Sequence, residues 1–154
     1  MTRPLTHIVV GVDGSAASIN ALRWAMAQAE LTSARVRAVL SWQPPRQTGY
    51  DIYIPVVNWA DLAQQTLETA LKEAGDGVPM DVEMVILQGH PATVLVDASA
   101  GAELLVVGSR GHGGFAGLLL GSVSEHVIAH ASCPVLVIRD REPVRAAPQP
   151  PPTP

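Results

Sequence analysis

Five apolar runs, His7–Val12, Arg35–Trp42, Asp81–Leu87, Glu103–Val107 and Pro134–Arg139, alternate along the chain with amphipathic or small-residue segments. That alternation is the feature that most restricts the fold. Strands separated by helices pair in parallel, each connected to the next by a crossover that is almost always right-handed. The runs IVVGV and LLVVG are apolar on both faces, as inner strands are, whereas DVEMVIL alternates and PVLVIR begins with proline, which suits the periphery of a sheet. These constraints predict an α/β fold, an open five-stranded parallel sheet of order 3-2-1-4-5 with helices on both faces. Strands 1 and 4 are then neighbours whose crossovers leave in opposite directions, and their carboxyl ends flank a crevice of the kind in which such sheets bind ligands.

The helices carry their own punctuation. The first starts at the Asp13-Gly14-Ser15 cap and runs to about Leu31, with Ile19, Leu22, Met26 and Ala29 on one face. The second starts from an Asn58 cap. There Trp59, Leu62, Ala63, Leu67, Ala70, Leu71 and Ala74 recur at three and four residues, and Gly75 is its stop. A short third helix is predicted over Ala92–Ala100 and a fourth over Ser122–Ala131.

Between Gly108 and Ser122 the chain reads GSRGHGGFAGLLLGS, which holds six of its 13 glycines. Glycine lets backbone N–H groups turn toward an anion with no Cβ in the way, and Gly121-Ser122 would set the positive end of a helix against it. A tight or flexible connection is the competing reading. The segment lacks the Gly-Lys-Ser/Thr of a Walker loop, and Gly111-x-Gly113-x-x-Ala116 is a weak dinucleotide fingerprint. The chain's single lysine, Lys72, is far away in sequence, so Arg110 is the one fixed positive charge in the loop and backbone amides would neutralise most of a phosphate's charge.

Gly108, Gly111 and Gly121-Ser122 fit G-x-x-G-x9-G-S/T, and the first strand turns through VGVDGS. In these motifs, over roughly Leu5 to Arg139, the chain resembles the ATP-binding, single-domain type of universal stress protein. The resemblance implies a Rossmann-like fold of the adenine nucleotide alpha hydrolase type and a regulatory ATP-binding role in stress response. It implies that Asp13 lies near the ribose and metal-bound phosphates, with magnesium as a candidate ion there, and that Gly11 in the same turn is among the nucleotide-binding residues. Val39 and Ser41 would meet the adenine. Gly108, Arg110, Gly111, Gly121, Ser122, Val123 and Ser124 would surround the phosphates. Plain helix capping is the competing account of both Asp13 and Ser122. Family members pair through strand 5, so a homodimer through Pro134 to Arg139 is expected, and an exposed apolar edge suits it.

The totals bound the alternatives. The 154 residues, 47% hydrophobic, suffice for one domain, here 1–140, with 141–154 as a proline-rich disordered tail in which six of the last twelve residues are proline. A net charge of −4 argues against nonspecific binding to nucleic acid or to anionic membrane. No apolar run reaches the roughly 18 residues of a membrane span, and a cytoplasmic protein is expected. Cys133 reads as a small buried residue. The histidines, the cysteine and the carboxylates form no spacing typical of a zinc site, and His112 and His126 have no identifiable carboxylate partner in sequence. Trp42 reads as a plug at the strand 2 exit. The segment Gln43–Val57 is a long loop placed to close one side of the crevice. A cyclic-AMP binder using the same crevice, a slow ATPase and a nucleotide-free interaction module are the alternative functions. Hydrolysis would need a positioned base and charge stabilisation beyond one arginine, and the sequence supplies neither.

Overall fold

In the computed structural model, nine elements follow one another as β1 (His7–Gly11), α1 (Ala16–Thr32), β2 (Arg35–Trp42), α2 (Trp59–Ala74), β3 (Val82–Gln88), α3 (Pro91–Ser99), β4 (Leu104–Gly108), α4 (Ser122–His130) and β5 (Val135–Ile138). The structure describes residues 6–45, 57–76, 81–111 and 120–139. The expectations for His112, for the tail and for most of the Gln43–Val57 loop lie outside them. All five strands pair in parallel, in the order β3-β2-β1-β4-β5. The two strands apolar on both faces, β1 and β4, are inner strands, and the alternating β3 and the proline-led β5 form the edges.

Register divides the side chains between two layers. Ile8 pairs with Val36 and Leu104, and Val10 with Ala38 and Val106. Ile8, Val10, Val36, Ala38 and Val106 point to one face, where they meet Ile19, Leu22 and Met26 of α1 and Ala63, Leu67 and Ala70 of α2. Val9, Val39, Leu105 and Val107 point to the other, against Val94 and Leu95 of α3 and Val127 of α4. Each helix pair thus covers one face. Leu22 and Leu67 have no exposed surface, and burying a leucine of this kind contributes about 1.5–3 kcal/mol.

The ends of the elements differ from the sequence reading by a residue or two, for local reasons. β1 stops at Gly11 rather than Val12, although the amide of Val12 still donates to the carbonyl of Val39 at 2.9 Å and extends the pairing with β2. α1 is capped by Ser15, whose side chain accepts from the Ser18 amide, and ends where Ser33 turns into the left-handed region at φ 57°. α2 begins at the Asn58 cap and closes at Gly75. Leu62, expected on its buried face, is 47% exposed. α3 starts at Pro91, one residue before the expected Ala92, because proline's missing N–H costs nothing in the first turn. Trp42 packs against the core between the sheet and α1/α2, as a plug at the end of β2.

Candidate functional site

At the carboxyl ends of β1 and β4 the two glycine-bearing turns face one another across a cavity of about 350 Å³. That volume is in the range of small-molecule sites. Gly11, Asp13, Val39, Ser41, Gly108, Arg110, Gly111, Gly121, Ser122, Val123 and Ser124 all line it, so the fold brings together the residues that the resemblance places around a nucleotide.

The β1 side is a closed turn. Gly14 adopts φ 82°, a conformation that favours glycine. The Asp13 carboxylate accepts from the Ser15 amide through Oδ1 at 2.9 Å. Ser18 then ties the turn to the helix: its hydroxyl donates to the Ser15 carbonyl at 2.9 Å and accepts from the Asp13 amide at 3.3 Å. Ser15 Oγ accepts from the Ser18 amide, so one of the first-turn amides of α1 is capped by a side chain.

The β4 side is built differently. Gly121 is the N-cap of α4, with extended backbone and no side-chain cap, and Ser122 is the first helical residue rather than the cap. The first turn of α4 therefore turns amides toward the cavity that no capping side chain occupies, at the positive end of the helix dipole. Its position is fixed from behind. The Ser124 hydroxyl, 3% exposed, donates to the Gly108 carbonyl at 2.6 Å. The Gly121 amide donates to the Ser109 carbonyl at 2.6 Å, and the Ser109 amide to that of Ile138 at 2.7 Å.

Close packing explains three of the glycines. A Cβ on Gly108 would stand 2.7 Å from the Cβ of Ala17 and 2.8 Å from its carbonyl carbon. One on Gly11 would meet the Leu95 Cδ1 at 2.8 Å. One on Gly111 would collide with Oδ2 of Asp13, so a side chain there would have to displace that carboxylate from across the crevice. At Gly121 a Cβ would meet only ordinary contacts, the nearest at 3.5 Å.

Charge in the cavity is sparse. Among the described lining residues only Asp13 and Arg110 carry a formal charge, and Val39, Pro91, Leu95 and Val107 give it an apolar wall. A small apolar wall beside backbone donors suits a ligand with a flat apolar part and an anionic part. The sequence reading missed Ser18, Pro91, Leu95 and Val107. Ser18 had a signal, since Ser15-x-x-Ser18 repeats the spacing of a capping box. The apolar three are placed by the fold alone and had none.

Comparison with known proteins agrees with this architecture. Residues 4–139 match the model of the Universal stress protein family. A universal stress protein of Mycobacterium tuberculosis is 37% identical over 152 residues, covering 92% of this chain and 50% of the relative. The chain thus spans about half the length of that relative. One from Thermus aquaticus is 34% identical over 139 residues, covering 86% of this chain and 97% of the other. Among solved structures, a universal stress protein in complex with cAMP is 28% identical with a TM-score of 0.66, covering 88% of this chain and 98% of that one. An Archaeoglobus fulgidus universal stress protein in complex with dAMP is 27% identical with a TM-score of 0.64, covering 88% and 99%.

Proposed function

The chain belongs to the universal stress protein family, and from that premise we propose that it is an ATP-binding regulatory protein whose crevice between β1 and β4 holds the nucleotide. The observation that carries this reading is the uncapped first turn of α4, lying beside Gly111 and facing Asp13 of the β1 turn across a cavity with an apolar wall. The amides of Ser122 and Val123 would donate to phosphate oxygens, and Arg110 would add the positive side chain among the described lining residues. The adenine would lie along Val39 and Ser41, with Leu95 and Val107 beneath it. Asp13 suits ribose hydroxyls or a magnesium ion among the phosphates, because an ionised carboxylate only accepts hydrogen bonds and is a hard oxygen ligand.

In this reading the domain spans 1–140 and the proline-rich 141–154 is a tail outside it. The protein works in the cytoplasm as a homodimer paired through β5. Among the described residues no helix is long and apolar enough to cross a membrane. β5 is a sheet edge whose Val135, Leu136, Val137 and Ile138 are all partly exposed, an edge of the kind that invites a partner strand.

A second reading, a cyclic-AMP binder, is favoured by the relative solved in complex with cAMP. Calorimetric titration with ATP and with cyclic AMP, each repeated in the presence of the other, separates the two. Tighter binding of ATP, weakened by Asp13→Ala when magnesium is present, supports the first. Tighter binding of cyclic AMP, indifferent to magnesium, replaces it with the second.

A further inference from the structure

α4 carries a second feature, remote from its first turn. His126 and His130 are four residues apart on its exposed side, and their rings stack with centres 4.3 Å apart and planes 23° apart. Helical neighbours at this spacing project over one another, which puts both imidazoles on one patch of surface. His130 Nδ1 lies 2.9 Å from the backbone carbonyl oxygen of His126. A carbonyl oxygen only accepts, so Nδ1 carries the proton in this bond, and the neutral ring keeps its lone pair on Nε2. Metal-binding histidines are held in the same way: one ring nitrogen donates to a carbonyl or carboxylate, and the other is left as the ligand.

The geometry points to a two-imidazole chelate at His126 and His130 for a borderline divalent transition ion, of the class of Ni²⁺, Zn²⁺ or Cu²⁺. Imidazole suits these ions, whereas Mg²⁺ and Ca²⁺ take oxygen ligands. An ion about 2.0–2.1 Å from each nitrogen would hold the ring centres slightly farther apart than their present separation. The site is open. Among the described residues no three His, Cys, Asp or Glu side chains converge on a common point. Cys133, three residues past His130, packs against the apolar cluster under α4 with its Sγ toward the Pro134 carbonyl at 3.4 Å. Water would complete the coordination, so the ion is exchangeable and unlike a closed structural zinc.

The site draws on no residue of the nucleotide crevice, so it stands or falls separately from the reading above. An ion bridging the two rings would clamp the last turn of the helix whose first turn lines the cavity, and would stabilise the folded chain by mass action.

The test is calorimetric titration of the full chain, without an affinity tag, with NiCl₂, beside His126→Ala, His130→Ala and His90→Ala. The parent and His90→Ala are expected to take up one equivalent, and each of the other two to lose it. A second measurement needs no variant. Paramagnetic Ni²⁺ is expected to broaden the ring resonances of His126 and His130 before those of His7 and His90. No uptake by the parent, uptake that survives either α4 substitution, or broadening centred on another histidine would overturn the assignment.

Discussion

The Ser124 hydroxyl donates to the Gly108 carbonyl at 2.6 Å, joining the first turn of α4 to the last residue of β4. A weaker contact at 3.3 Å reaches the Ser109 carbonyl as well. Ser124 follows Gly108 by sixteen positions, and its side chain, together with the Gly121 amide on the Ser109 carbonyl, ties the two arms of the glycine loop. Ser124 lines the cavity, yet its proton is committed to the backbone behind it, so its role is to position α4.

Ser124→Ala therefore removes a buried donor and leaves the Gly108 carbonyl without it. The expected cost is about 1–3 kcal/mol of stability, read by urea unfolding. Nucleotide affinity should fall with it, because the α4 amides lose their anchor. Unchanged stability and unchanged affinity would show that other contacts hold the loop.

The glycines at the ends of β1 and β4 differ in what surrounds them. A methyl at position 11 meets the flexible end of Leu95, which has room to turn, whereas one at 108 meets Ala17 and its backbone. Gly108→Ala is expected to lose about 1–3 kcal/mol, the usual range for overpacking, and Gly11→Ala distinctly less. Equal losses in thermal unfolding would contradict this ranking.

Much of this architecture is legible in the chain itself. Strand order follows from β1 and β4 being apolar on both faces while β3 alternates, because burial on two sides leaves no room for polar side chains. Caps at Ser15 and Asn58 and the stop at Gly75 are legible because each answers a local need of the backbone. What is not legible depends on distant contacts. Leu62 fits the helical period of α2 but falls beyond the edge of the packed stripe. Pro91 and Leu95 enter the cavity only because α3 packs against β1 and β2, and Val107 because β4 pairs beside β1. Ser124 reads as a ligand from its place beside Ser122, and its burial against Gly108 becomes visible only when β4 and α4 meet.

Arg37 and Glu83 stand opposite each other on β2 and β3, with Nε and Oε2 3.0 Å apart. Their side chains are 40% and 56% exposed, so water screens the pair and its contribution is about 0–1 kcal/mol. Glu83→Gln should change the unfolding midpoint little, and the small difference should vanish at high salt. A loss several times larger would mean that this pair fixes the register of β3.

Burial raises the Cys133 thiol above its ordinary pKa, and the hydrogen bond from the Leu105 backbone offsets this only in part. At neutral pH the folded chain then holds less thiolate than the unfolded one, so alkylation by iodoacetamide should be slower in buffer than in urea. The folded state also binds this proton more tightly. Its contribution to stability is present below the unfolded thiol's pKa and is lost as pH rises through the folded value. Faster alkylation of the native protein would contradict the partial burial of this side chain.

The Gly111 backbone lies so close to the Asp13 carboxylate that any side chain at 111 enters the space between the two turns. The most direct measurement is to purify the protein with no nucleotide added, denature it, and identify the released small molecules by chromatography and mass spectrometry, with Gly111→Glu treated alongside. Near-stoichiometric ATP or ADP from the parent and none from a folded Gly111→Glu is the expected result. A parent that releases no nucleotide and binds no added ATP, or a folded variant that retains it, would contradict a nucleotide site between β1 and β4.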